Sequence, residues 1–216
     1  KIDKSALTPY VDEAVAESLL RNPIKKGSVT KKETNDKIGT TTLTLSNGAK
    51  VTFKKTDFKN DEILFEALSF GGSNLISNEE YEKVQWAMSG VTEAGFSGMK
   101  LNDINKFMTG KIVRVNPYVG GTQEGFRGSA TPKDLEYLFQ TVYAYFTDLN
   151  LDKEAFESYK IKQNGFMANM KSMPTTYFQN ELYTYLSQNN PRFNGIIPDD
   201  AAWAKTDYEL AYKKFK

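Results

Sequence analysis

The chain has 216 residues, 39% of them hydrophobic and 13% aromatic, with 28 basic against 27 acidic side chains. That is enough apolar surface for a sizeable core, while a net charge of +1 supplies no broad positive field for nucleic acid or an anionic membrane surface. Histidine and cysteine are both absent, which excludes disulfides, thiolate nucleophiles, serine–histidine catalysis and the usual nitrogen and sulfur ligands of zinc.

No apolar run approaches the ~20 residues of a membrane span. The opening residues, KIDKSALTPY, carry neither an initiator methionine nor a signal-peptide core and read as a piece of something longer. Residues 8–20 predict a short helix, with Thr8 as cap, Pro9 in the first turn and Val11, Val15, Leu19 and Leu20 on one side. The lysine-rich stretch 21–38 is expected as a linker, so that 1–38 forms an N-terminal extension and 39–216 one domain. In TTTLTLSNGAKVTFKKT, two alternating runs meet at Ser46-Asn47-Gly48, a hairpin signal that puts Leu43, Leu45, Val51 and Phe53 on a common core face.

DEILFEALSF is apolar on both faces apart from Glu66, which predicts a strand inside a sheet, ended by Gly71-Gly72. Ser77 and Glu80 have capping-box spacing, and Val84, Met88 and Val91 carry a helix up to Gly95. LNDINKFMTG predicts a shorter helix ending at Gly110, and two more strands flank Gly120-Gly121. From Pro132 the chain turns helical. Leu135, Leu138, Phe139, Val142, Phe146 and Leu149 form a core-facing stripe; residues 152–171 follow with acids early and lysines late; another helix begins at Pro174, and a last one ends the chain. Strands first and helices afterwards describe an α+β, two-layer domain with a largely antiparallel sheet of about five or six strands.

Few residues stand out chemically. Glu79, Glu80 and Glu82 are expected from the helix dipole rather than as a metal cluster, and Asp199-Asp200 as capping residues. Tyr137, Tyr143, Tyr145, Tyr177, Tyr183 and Tyr185 suit the edges of a core. Gly71, Gly72 and Ser73, with Gly120 and Gly121, are turns that can also let another backbone come close.

The stretches TPYVDEAVAESLL, LTLSNGAKVTFKKTDFKNDEI, SFGGSNLISNEEY, GKIVRVNPYVGGTQEGFRGSATPKDLEYLFQTVYAYF and DKEAFESYK span residues 8–160. In order and spacing they resemble the pitrilysin/insulinase-type zinc peptidases, the inverted HxxEH family. The resemblance implies a two-layer domain of the zinc-peptidase/LuxS-like kind, one of four in a chain whose halves close around a peptide. In the catalytic half of such proteins a helix after the strand and glycine turn carries two histidine ligands and a glutamate base. Here Tyr81 and Gln85 stand where the histidines would be, and Val84 where the base would be.

The resemblance therefore implies the non-catalytic C-terminal half, a third domain preceded by the linker between halves. Its expected partners are the catalytic N-terminal half and fourth domain of the same chain, and a peptide substrate, with no nucleic acid. No catalytic or metal residue and no cofactor is assigned to this chain; Zn2+ belongs to the catalytic half. The family's arginine and, seven residues later, tyrosine find no counterpart, since Arg192 and Tyr208 differ in spacing and Arg114 and Arg127 fall in strands. Gly71, Gly72, Ser73, Gly120, Gly121 and Arg127 remain as possible chamber-facing positions. The parent is expected to be a periplasmic or exported bacterial metalloendopeptidase; the alternative is a stand-alone scaffold or peptide-binding module of the same superfamily.

Overall fold

A computed structural model describes residues 16–188, 190–193, 195–198 and 200–216. The chain divides into two compact units. One holds Leu20–Leu75 and Ile112–Tyr143; the other holds Ile76–Lys111 and Ala144–Lys216, with the segment ending at Leu19.

The first unit contains two antiparallel three-stranded sheets, which give the expected α+β class its strands. Strands β1 (Val29–Asn35), β2 (Thr40–Leu45) and β3 (Lys50–Phe53) pair in the order β1-β2-β3. The predicted hairpin is present: Gly48 takes φ 87° in the turn, and Leu43 lies opposite Val51. Strand β1 falls within the stretch expected as linker, where it pairs with β2 up to Asn35 opposite Thr40. Leu43, Val51 and Phe53 do share register, but Val51 and Phe53 are exposed, so that face is no core.

In the second sheet β4 (Ile63–Phe70), β5 (Val113–Val119) and β6 (Gln123–Ala130) pair in the order β4-β6-β5. The strand expected inside the sheet is therefore an edge, and β6 is central. Pro117 is tolerated in β5 because that strand is the other edge and lacks a partner on one side. One face of this sheet is packed: Phe65 meets Phe139 edge to face at 5.7 Å, and Phe126, Ala130 and Leu138 are buried. At its rim the buried Asp134 accepts from the Ile112 N–H at 3.0 Å and from the Thr131 hydroxyl at 2.7 Å, fixing the start of the next helix.

That helix, α3 (Leu135–Thr147), is shared by the two units, which divide between Tyr143 and Ala144. Its buried side is Leu138, Thr141 and Ala144, whereas Phe139 and Phe146 of the expected stripe are exposed. The second unit adds α1 (Asn78–Val84), a 3-10 segment (Met88–Ala94), α2 (Leu101–Phe107), α4 (Lys153–Ser172), α5 (Pro174–Leu186), α6 (Asp200–Ala204) and α7 (Tyr208–Phe215). The helix expected to run to Gly95 is thus two pieces. A step of three is one full turn of a 3-10 helix, so positions 88 and 91 stay on one side within the 3-10 segment.

The final predicted helix is also two, because the Asp207 carboxylate accepts from the Leu210 N–H at 2.9 Å and starts α7 afresh. For the helix expected over 8–20, residues 8–15 lie outside the described residues and 16–20 are not helical, although Leu19 is buried. Asp199 also lies outside them. The core of this unit is Ile76, Val84, Ala87, Val91, Leu149, Phe156, Tyr208 and Ala211. Asn150 closes it on one side. Its amide donates to the carbonyls of Ala94 (3.0 Å) and Met99 (2.9 Å) and accepts from the Gly98 N–H (3.0 Å). Among the described residues no helix is long and apolar enough to cross a membrane.

Candidate functional site

Two places bear on function: the helix that stands where the resemblance puts a metal site, and the unpacked face of the second sheet. The helix α1 begins as its capping box dictates. The Ser77 hydroxyl accepts from the Glu80 N–H at 3.3 Å and lies 3.2 Å from the Glu80 carboxylate. The acids serve local pairing, Glu79 with Lys83 at 2.9 Å and Glu80 with Lys214 at 2.9 Å. The Lys214 ammonium holds the Glu80 carboxyl below its usual range. Among the described residues no three or more acids come together as a metal site.

Val84 is 0% exposed and sits in the apolar cluster. Beside it the Tyr208 ring stacks on Phe156, with centroids 4.3 Å apart and an interplanar angle of 8°. Gly90 lets these rings in, since a Cβ there would come within 2.7 Å of Tyr159 and 2.8 Å of Phe156. Helix α7 closes over α1, where the Asp207 N–H donates to the Lys83 carbonyl at 2.8 Å. Tyr81 carries the Arg192 guanidinium 4.7 Å above its ring. The same arginine donates to Asn78 Oδ1 at 2.8 Å and to the Ile76 carbonyl. Arg192 and Tyr208, which fail the family's spacing, thus work as packing groups. More than 100 residues separate Arg192 from its partners, and no local sequence signal marks such a contact.

The second place is built on β4, β6 and β5. Gly71, Ser73 and Asn74 donate to the carbonyls of Thr122 (2.9 Å), Gly120 (2.8 Å) and Gly121 (2.9 Å), and Gly72 donates to the Glu124 carboxylate at 3.0 Å. The two glycine turns are brought together and clamp one end of the sheet. Gly72 has to be glycine. Its φ is 64°, and a Cβ would lie 2.5 Å from the Gly120 carbonyl oxygen. Gly121 is different, with nothing within 4 Å of its Cβ position.

Arg127 is exposed on β6, flanked across the strands by Glu66 and Asn116. Its Nε donates to Glu66 at 3.2 Å, and its guanidinium lies 4.6 Å over the Tyr118 ring. The Arg127–Glu66 pair is more than half exposed on both sides, so it contributes little stability and can be exchanged for another acceptor. The rest of that face is mixed, with Leu64, Leu68 and Phe70 exposed on β4 and Arg114 and Asn116 exposed on β5. Such a surface can hold an extended chain by its carbonyl or carboxylate groups and its apolar side chains.

No protein-family profile matches the chain. Among curated proteins it is 30% identical over 98 residues to a PQQL-like zinc protease of Arabidopsis thaliana and 28% identical over 116 residues to the probable zinc protease PqqL of Haemophilus influenzae. These matches cover 45% and 54% of the chain but 10% and 12% of the relatives. Among solved structures, the periplasmic protease PqqL of Escherichia coli matches 97% of the chain with a TM-score of 0.71 at 19% identity. The ferredoxin protease FusC, solved with Arabidopsis ferredoxin, matches 98% with a TM-score of 0.72 at 15% identity. The chain is a relative of the pitrilysin-like zinc proteases.

It spans 23% of the length of each of these two solved pitrilysin-like chains. A protease from Helicobacter pylori shares the fold more loosely, with a TM-score of 0.56. Of the residues that the resemblance aligns with the metal motif, Tyr81 lies under the Arg192 guanidinium, Val84 is packed in the core and Gln85 caps the end of α1 through its backbone N–H.

Proposed function

We propose that this chain is a catalytically silent domain of a larger pitrilysin-like zinc endopeptidase, from its C-terminal half, and that its task is structural. The observation that carries this reading is Val84, a fully buried core residue at the place of the general base. Zinc and peptide hydrolysis belong to the catalytic N-terminal half of the parent, which, with the fourth domain, is this domain's partner. Its own contribution is a wall of the peptide chamber. The open face of the second sheet, with Arg127 at its centre and the clamped turns Gly71-Gly72-Ser73 and Gly120-Gly121 at its end, meets the peptide. The name of one structural neighbour, a periplasmic protease, supports an exported location for the parent.

The test is cleavage of a mixed peptide library, with zinc measured on the same samples, for this chain alone and for the full-length parent. A zinc-loaded, active parent beside a metal-free, inactive chain is expected. Stoichiometric zinc in the chain, removable by chelator, would overturn the silent assignment. A parent that is itself metal-free and inactive would make it a scaffold.

A further inference from the structure

Helix α5 is built inside out. Its thirteen residues include none that is buried. The side turned toward its own unit is polar: Thr176, Asn180, Thr184 and Ser187 are the partly buried positions, spaced at helical intervals of three and four. Asn180 Oδ1 accepts from the N–H groups of Ile196 and Ile197, both at 2.9 Å. Gly195 sits against this side, where a Cβ would lie 2.6 Å from Asn180 Oδ1 and 2.9 Å from Thr184 Oγ1.

The opposite side is apolar. Phe178, Leu182, Tyr185 and Leu186 fall at i, i+4, i+7 and i+8, one continuous stripe. Tyr185 is 81%, Phe178 65% and Leu186 63% exposed. A surface helix ordinarily turns its apolar stripe to its own core, and a contiguous exposed stripe marks an interaction site. The inward hydrogen bonds of Asn180 fix the orientation of α5 and exclude a simple rotation.

We propose that the Phe178–Leu182–Tyr185–Leu186 stripe is the docking face for another domain of the same polypeptide, presenting an apolar, uncharged helix or sheet surface. The inference rests on the reading above that the chain belongs to a longer parent. Area decides between that occupant and a second copy. At 1.5 Å per residue the thirteen residues of α5 make a strip about 20 Å long, a few hundred Å² at most. A stable complex between separate chains needs about 800 Å² per partner. A contact too small for that is sufficient between covalently linked domains, whose effective concentration reaches about the millimolar range. The two solved pitrilysin-like chains that match almost all of this one devote 77% of their length to other parts, since it covers 23% of each.

The experiment is hydroxyl-radical footprinting of the full-length parent, read by mass spectrometry at Phe178, Leu182, Tyr185 and Leu186, across a hundredfold range of protein concentration. Protection of at least tenfold against the intrinsic reactivity of each side chain, independent of concentration, is expected. Free reactivity at every concentration overturns the proposal, and protection that appears only as the parent dimerises transfers the face to a second copy and overturns it equally. In the parent, Leu182→Lys combined with Leu186→Lys should expose Phe178 and Tyr185 to oxidation; unchanged protection of these two would also overturn it. Zinc content and cleavage on the same unmutated sample report separately on the silent-domain reading. A metal-free, inactive parent with a protected stripe sinks that reading and keeps this one.

Discussion

Val84 stands where the resemblance places a catalytic carboxylate, and it belongs to an apolar cluster with Ile76, Ala87, Val91, Phe156 and Tyr208. Truncation to Ala removes two methyl groups from a packed site and should cost about 2 kcal/mol in urea unfolding. Restoring the motif's residue types with Tyr81→His, Val84→Glu and Gln85→His should not restore a metal centre. It buries a carboxyl without a partner, at a cost above about 3 kcal/mol, and removes the ring beneath Arg192. Stoichiometric zinc in a folded triple variant would overturn this expectation. The glycines separate in the same way. Gly72→Ala forces φ 64° on an alanine whose Cβ meets the Gly120 carbonyl and should cost about 1–3 kcal/mol. Gly121→Ala meets nothing within 4 Å and should change stability by less than about 0.5 kcal/mol. Equal losses would mean that the two turns are not clamped as described.

Among the elements, the segment from Ala94 to Met99 depends on one side chain from outside it. Ser97 is held at φ 54°, an uncommon backbone for a non-glycine residue, and the Asn150 amide satisfies the carbonyls and the N–H around it. Asn150→Asp replaces two donors by an oxygen facing the Ala94 and Met99 carbonyls. The variant should lose about 3 kcal/mol, with faster amide exchange at Gly98; exchange unchanged at Gly98 would assign the loop's order to its own backbone. The elements themselves were largely legible: the Asn-Gly hairpin, the Ser77 cap and Pro174 at the start of α5 all appear where local chemistry puts them, and Asp152, expected as an early acid of α4, is its N-cap. Orientation was not. Strand β4 is apolar on both faces, which the sequence suggests for an inner strand, yet it is an edge with Leu64, Leu68 and Phe70 exposed. On α3, Thr141 and Ala144 are buried beside Leu138 while Phe139 and Phe146 are not, so the buried side is set by what the helix packs against and not by the size of its apolar residues.

At the scale of the whole molecule the absence of histidine removes the usual titration near neutrality, and the pH response moves to the tyrosines. Burial, together with the Glu93 carboxylate, pushes the Tyr145 phenol from 10.0 up to about 12. Burial raises Tyr159 and Tyr208 as well. A phenol whose folded value is raised stabilises the protein fully below the unfolded value near 10, and this contribution is lost as pH climbs through the folded value. Stability should therefore fall between pH 10 and about 12, by up to about 3 kcal/mol from Tyr145. Thermal melts across this range check it, and Tyr145→Phe should make the decline shallower without abolishing it. An unchanged slope in that variant would place the alkaline sensitivity elsewhere.

Residue types by themselves determined that this chain has no histidine or cysteine chemistry, and the order of its motifs carried the resemblance to pitrilysin-like proteases that sets Tyr81, Val84 and Gln85 opposite the family's metal motif. These are properties of type and local spacing, which a linear chain displays directly. Tertiary structure alone decided that Val84 is sealed into a core by α7, that Arg192 pins α1 from more than 100 residues away, and that α5 turns its polar side inward. Each of these depends on which elements meet, and the free energy of burial is assigned by neighbours that sequence periodicity does not name.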